Sequence, residues 1–372
     1  MAFLKWSLLA LVIVVVIAVA AWMALSRYVD GQYTFDPLEI DNTQPVGPQV
    51  DMWLSGLHER DRFNGYVWLR KGEETLLRKT YGTADAAGER PLTDSTPLRI
   101  GSVSKMFTAV AVLALVEDGR LSLDSTLSDI IPECAYPDVT VRHLLTHVSG
   151  VRNDYVRLQG DPVTTSDVVT HVCAGPARPT SAPGEEHVYN NTGYVLLAGI
   201  VEAVSGQDFE DYVRESVLRP LGMNDSRVFN RLSPEVADAY VPGGGEAAAG
   251  VAETFDALLR PFETKPMTRH DGVAGDGALH VSLRDFESWE RFWGDDRLIS
   301  SALKAEAQSD LADGYGYGWV RQGDTVWHNG SWLGARSMYI RNMESGNVLV
   351  AVDNSDNYGF DAIVQQLSKA LR

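Results

Sequence analysis

The chain has 372 residues and 45% hydrophobic content, enough to bury a core as one large domain or two. Its formal net charge of −18 argues against nucleic acid or an anionic lipid surface as a main partner. No lysine/arginine run, glycine-rich phosphate loop or metal-ligand cluster appears, so neither a metal nor a cofactor is implied.

In chain order, residues 6–25 come first, a run without a charge that is long enough to cross a bilayer as a helix. Lys5 precedes the run and Arg27 follows it; Ala18-Val19-Ala20 is a weak cleavage site inside it. Residues 1–26 are therefore expected to be an uncleaved membrane anchor rather than a removed signal segment. Residues 27–49 carry Pro37, Pro45 and Pro48 and read as a linker, with the folded domain over 50–372. A short amphipathic helix near 50–59 is followed by two strands, 65–70 and 75–81, around a turn at Lys71-Gly72-Glu73.

Ser102-Val103-Ser104-Lys105 then opens a helix, 106–116, that is apolar nearly all round and so belongs in a core, with Gly119 as its stop. At i and i+3 the serine and lysine share a helix face. A serine hydroxyl is a poor nucleophile until its proton is removed, and a lysine can do this where burial and nearby charge favour its neutral form. At the first turn, Ser102 also lies near free backbone N–H groups suited to an oxyanion. By chance alone, roughly one Ser-x-x-Lys match is expected in a chain this long, and Ser301-Ala302-Leu303-Lys304 is a second. That copy sits in a polar, alanine-rich stretch and is expected to be silent.

The middle of the chain reads as helical and loop-rich, with helical spacing at 141–145, 166–172, 194–204 and 209–217. His143 and His147 fall at i, i+4 without the glutamate of a zinc protease between them, so helix packing is the plainer reading. Cys134 and Cys173 are the only cysteines; they could pair in an exported domain or stand as two independent thiols. Tyr189-Asn190-Asn191 follows a Pro183-Gly184 turn, which places Tyr189 on a loop ahead of an apolar helix. A phenol beside an ammonium could move the proton of Ser102; the plain alternative is a surface tyrosine with a capping asparagine. The stretch 242–250 reads as a flexible loop.

Strands return at 317–321, 325–328, 335–340 and 347–352, and a helix over 360–371 closes the chain. His328-Asn329-Gly330 lies on a strand that could bind an extended substrate edge-on, with Gly330 admitting the substrate close to the backbone. The Ser331 N–H could pair with the Ser102 N–H as an oxyanion hole, and Trp332 is a candidate pocket wall. A rival match, His270-Asp271-Gly272, lies in a Gly/Asp-rich loop. Strands at both ends with helices between predict an α+β fold. One antiparallel sheet is built from both chain ends (50–103 and 310–372), and a mainly helical part (104–309) is inserted, with the crevice between them as the site.

The segments 98–105 and 144–150, the Pro-Gly…Tyr-x-Asn stretch and His-x-Gly together resemble the serine β-lactamase-related family. That group includes class C β-lactamases, D-alanyl-D-alanine carboxypeptidases, D-amino-acid peptidases and family VIII esterases. The resemblance implies a β-lactamase/transpeptidase-like fold outside the cytoplasm, acylation of Ser102, and proton transfer by Lys105 and Tyr189. It also implies substrate contacts from Asn191 and the His328 strand, and Ser331 as second oxyanion donor. His328 replaces the lysine found in class C β-lactamases, which weighs towards ester or peptide substrates over β-lactams. Met106 replaces a common threonine. The expected protein is a membrane-anchored serine hydrolase acting on a small-molecule or peptide substrate. The competing class is a non-catalytic module that holds cell-wall peptide or lipid at the membrane surface.

Overall fold

The computed structural model describes residues 35–84, 89–160, 162–174, 179–229, 269–332, 335–355 and 359–372. The 6–25 run and the 242–250 loop both lie outside these residues. Among the described residues, no helix is long and apolar enough to cross a membrane.

The main sheet is antiparallel and is built from β1 (Gly65–Lys71), β2 (Glu74–Tyr81), β6 (Val320–Gln322), β7 (Thr325–Trp332), β8 (Ala335–Asn342) and β9 (Val348–Asp353). Its order, β2-β1-β9-β8-β7-β6, joins the two chain ends through the β1/β9 pair, Gly65 opposite Asp353 to Arg70 opposite Val348. Side chains alternate between faces with period two. Tyr66 and Trp68 on β1 and Val348, Val350 and Val352 on β9 turn to one core; Val67, Leu69, Leu349 and Ala351 turn to a second. Both faces are covered, so β9 reads as an unbroken apolar run. The second core is closed by α1 (Val46–His58), through Val50, Leu54 and Leu57, and by the last helix, Phe360–Lys369, through Ile363 and Leu367.

The first helix begins four residues before the sequence predicts, and the expected linker is partly packed. Leu38 is buried, Trp53 Nε1 donates to the Asp36 carbonyl oxygen at 2.8 Å, and the Phe35 ring meets Trp53 edge-on.

The first core holds α2 (Ser104–Glu117), buried from Ser104 through Leu115 as its all-round apolar sequence requires; Met106 is core. Gly119 takes φ +68° just beyond the helix end. The helical part follows as α3 (Leu127–Ile130), α4 (Val141–Leu145), α5 (Thr165–Cys173), α6 (Asn191–Ser205) and α7 (Phe209–Val213). Thr126, Thr140 and Thr164 close capping boxes on α3, α4 and α5. Cys134 and Cys173 are joined in a disulfide, which ties the segment after α3 to the end of α5.

A small second sheet escapes the sequence reading. β3 (Leu98–Arg99) and β4 (Arg227–Val228) flank β5 (Leu279–Val281), and strands of two or three residues carry too little periodicity to be read. This sheet matters because β3 leads directly into the Ser102 turn. Two further helices, α8 (Leu283–Phe292) and α9 (Ser301–Ala307), precede the returning strands, so the last helix is α10.

Candidate active site

Ser102 sits in a 3₁₀ turn, Gly101–Val103, that runs into α2. The turn is held from two sides. The Ile100 carbonyl oxygen accepts from Ser337 Oγ on β8 at 2.6 Å and from the Val103 N–H at 3.2 Å. On the other side, the Ile100 N–H donates to Leu279 O at 3.1 Å, and Ser104 Oγ accepts from the Leu279 N–H at 3.0 Å. One turn further along α2, Thr108 Oγ1 donates to Gly275 O at 2.6 Å. Gly101 has φ +49°, and a Cβ there would stand 2.7 Å from Ser331 N. The Ser102 turn is therefore wedged between β7/β8 and the 275–279 segment, with the Ser331 backbone against it.

Lys105 is fully buried, and its ammonium is accounted for on every side. Nζ donates to Ser102 Oγ at 3.1 Å and to the Asp276 carbonyl oxygen at 2.7 Å. It lies 4.9 Å from the ring centre of Tyr189 and 5.5 Å from that of Tyr194, within cation–π range. The Asp276 carboxylate accepts from Tyr155 Oη at 2.7 Å, which fixes the residue whose backbone receives Lys105. The i, i+3 spacing thus delivers the contact expected of it.

Tyr189 lies on the loop before α6, as the Pro-Gly turn predicts, and is 39% exposed. Asn190, not Asn191, caps the helix: its Oδ1 accepts from the Gly193 N–H at 3.0 Å, and its amide donates to Val151 O. That leaves Asn191 at the first helical position, where its Oδ1 is buried without a partner. A buried acceptor in that state is ready for a donor from a ligand.

His147 is the residue that sequence reasoning misses. It lies beyond the end of α4, not on it, so it has no helix-packing partnership with His143. Its ring is buried 4.4 Å from Tyr189, 5.0 Å from Tyr194 and 4.7 Å from Tyr315, measured between ring centres. Burial, then the Lys105 charge, holds its pKa well below the usual histidine value, so it is neutral. The available signal was its place in the 144–150 segment that carries the family resemblance.

On β7, His328 is 2% exposed. Nδ1 donates to the Asn329 carbonyl oxygen at 2.6 Å, which fixes the tautomer, and Nε2 accepts from Tyr315 Oη at 3.0 Å. Burial and then the nearby Lys105 ammonium push its pKa down to about 3. The position therefore carries a neutral ring rather than a cation. Gly330 lies against the Ser102 turn. A Cβ there would stand 2.0 Å from Ile100 O and 2.4 Å from Ser337 Oγ, so the close approach it permits is that of the turn carrying Ser102. β6 pairs with β7 only from Thr325 to Trp327, so the His328–Trp332 stretch continues past its neighbour, beside Ser102. Trp332 is fixed by the Arg99 guanidinium, 5.1 Å from its ring centre, and by Nε1 donating to Asp271 Oδ1 at 3.4 Å.

The rival motifs resolve differently. Asp271 of His270-Asp271-Gly272 is bound in a buried ion pair with Arg99 at 2.7 Å. In the second Ser-x-x-Lys, Ser301 Oγ donates to both oxygens of Asp296 at 2.8 Å, and Lys304 Nζ contacts Asp296 Oδ1 at 3.0 Å. A carboxylate occupies the lysine there. Among the described residues, no group of three or more His, Cys, Asp or Glu is placed to hold a metal ion.

A helix-flanked antiparallel sheet with a serine at the mouth of a buried helix, its hydroxyl against a lysine, defines a serine hydrolase of the penicillin-binding type. Residues 50–371 match the profile of the Beta-lactamase family, and the chain belongs to that family. Penicillin-binding protein 4* of Bacillus subtilis (strain 168) is 33% identical over 318 residues, 81% of this chain and 70% of that protein. A D-aminopeptidase of Gluconobacter oxydans (strain 621H) is 26% identical over 288 residues, 73% of this chain and 52% of that protein, so the chain spans about half its length. The octameric penicillin-binding protein homologue from Pyrococcus abyssi superposes with a TM-score of 0.72 at 26% identity, covering 87% of this chain and 76% of that one.

Proposed function

We propose that this protein hydrolyses an ester or amide through an acyl-enzyme on Ser102. The observation that carries the reading is the 3.1 Å contact between Lys105 Nζ and Ser102 Oγ, a fully buried lysine behind a partly exposed serine. In this reading, the Ser102 proton passes to the Lys105–Tyr189 pair and returns to the leaving group. The Ser102 and Ser331 N–H groups receive the oxyanion. Asn191 Oδ1 accepts a substrate N–H, and the His328–Trp332 backbone binds substrate edge-on.

The neutral His328–Tyr315 pair sets the order of substrates. Where β-lactam hydrolysis would call for a cation to hold the substrate carboxylate, this strand offers an uncharged imidazole. Esters and D-configured peptides or amides come first and β-lactams third. The D-aminopeptidase named above, a relative by sequence, is consistent with that order.

For location, the reading has residues 1–26 as a membrane anchor, with the hydrolase domain outside the cytoplasm. Supporting it are the uncharged 6–25 run and the Cys134–Cys173 disulfide, a bond that persists in oxidising compartments.

The test compares turnover of an activated ester and a D-amino-acid amide by wild type, Ser102→Ala and Ser301→Ala. Ser102→Ala is expected to lose at least ~10³-fold in kcat with an unchanged melting temperature, and Ser301→Ala to match wild type. Turnover retained by Ser102→Ala would refute the mechanism and favour the reading as a binding module.

A further inference from the structure

His147 grips the backbone on both sides of Tyr189. The Val188 N–H donates to the His147 carbonyl oxygen at 2.9 Å, and the Asn190 N–H donates to His147 Nδ1 at 3.1 Å. Between those two bonds, the imidazole lies 4.4 Å from the phenol ring. The base of the grip is stiff. Gly184 N–H donates to Val148 O at 2.8 Å and Thr180 N–H to Gly150 O at 2.7 Å, so the 147–150 and 180–190 segments run side by side. Tyr194 Oη also donates to Leu145 O at 2.8 Å.

His147 holds φ +60°, in the left-handed region, which costs any residue with a Cβ some strain. Glycine would sit there without that cost, yet would supply no side-chain acceptor. Because Nδ1 accepts an N–H, the ring proton resides on Nε2, an atom that is buried without a partner. Strain and an unmet donor are therefore both tolerated at one residue, beside the catalytic lysine.

We infer that His147 is a positioning residue: its carbonyl and Nδ1 clamp the loop so that the Tyr189 phenol stays over Lys105. This rests on the proposed role of Tyr189 in proton transfer. Burial and the nearby Lys105 charge disfavour the protonated imidazole, which leaves Nδ1 as an acceptor.

The test is a double-mutant cycle in the full chain, reading kcat, KM and the pH profile of kcat/KM on an activated ester. His147→Ala removes the acceptor; His147→Asn keeps one at the same reach and tolerates the left-handed conformation. His147→Ala is expected to lose ~10–100-fold in kcat, with KM changed less than about threefold and the basic limb of the profile shifted. His147→Asn should recover to within about threefold of wild type, and His147→Ala combined with Tyr189→Phe should be no slower than Tyr189→Phe alone. If His147→Ala does not fold, His147→Gly replaces it, since it accepts the φ angle and equally lacks the acceptor.

Multiplicative losses in the double variant, or His147→Asn as slow as His147→Ala at equal melting temperature, would overturn the inference while leaving Tyr189 in place. Wild-type turnover by Tyr189→Phe would instead show that the reading of Tyr189 is at fault, and the inference would fall with it.

Discussion

A methyl group at position 330 would stand 2.0 Å from the Ile100 carbonyl oxygen, which is backbone, and 2.4 Å from the Ser337 Oγ that bonds that oxygen. Gly330→Ala is therefore expected to push the Ser102 turn away from β7. Stability should fall by about 1–3 kcal/mol and acylation by ~100-fold or more, read as urea midpoint and labelling rate. Labelling at wild-type rate would show that the turn does not depend on this approach. His328 gives a second expectation. In the folded chain it takes its proton at about 3, whereas an unfolded histidine does so near 6.5. The unfolded state binds the extra proton throughout that window, so the contribution to stability is full above about 6.5 and is lost as the pH falls towards 3. At most about 1–1.5 kcal/mol per pH unit comes from this group, and His328→Gln should show a correspondingly shallower fall in urea midpoint between pH 7 and 5. An unchanged slope would mean that the ring is not held neutral. Ser102, Lys105, Tyr189 and His328 could be picked out as candidates because each announces itself through a chemical type at a local spacing, and the structure brings the four together. His147 was not: its partners lie some forty residues away along the chain, and i, i+4 spacing suggested a helix that ends before it.

Elements with a full period of apolar residues were read well, and those shorter than one period were not. α2 is buried along nearly its whole length, with Phe107 4.0 Å from Trp289 between ring centres. Leu113→Ala there is expected to cost about 2–5 kcal/mol while leaving the Ser102–Lys105 contact in place. The check is a lower urea midpoint with unchanged labelling stoichiometry at 20 °C or below. β7 runs four residues beyond the 325–328 span read from sequence, and the glycine inside it marks the close approach of another backbone. The disulfide was an open question in sequence, since a spacing of 39 residues neither favours nor forbids it. Joining α5 to the segment after α3, it is expected to contribute up to about 4 kcal/mol by closing that loop in the unfolded chain. Replacing both cysteines by serine should lower the melting temperature and leave kcat unaltered, because neither belongs to the cluster around Lys105. A loss of kcat at temperatures where the variant is folded would show that the helical part positions the site.

For the whole molecule, the sheet made from both chain ends and the helices inserted between them put the site at the seam. Residues from widely separated parts of the chain, Ser102, His147, Tyr189 and His328, gather around one lysine ammonium. No single segment holds the chemistry; activity depends on whether that convergence activates Ser102. The direct measurement is the intact mass of the full chain after treatment with a fluorophosphonate, followed by peptide mapping, beside Ser102→Ala. One adduct on the peptide containing Ser102, absent from the folded variant, is the expected result. No adduct on folded wild-type protein, or an adduct that persists in Ser102→Ala, would contradict the central claim.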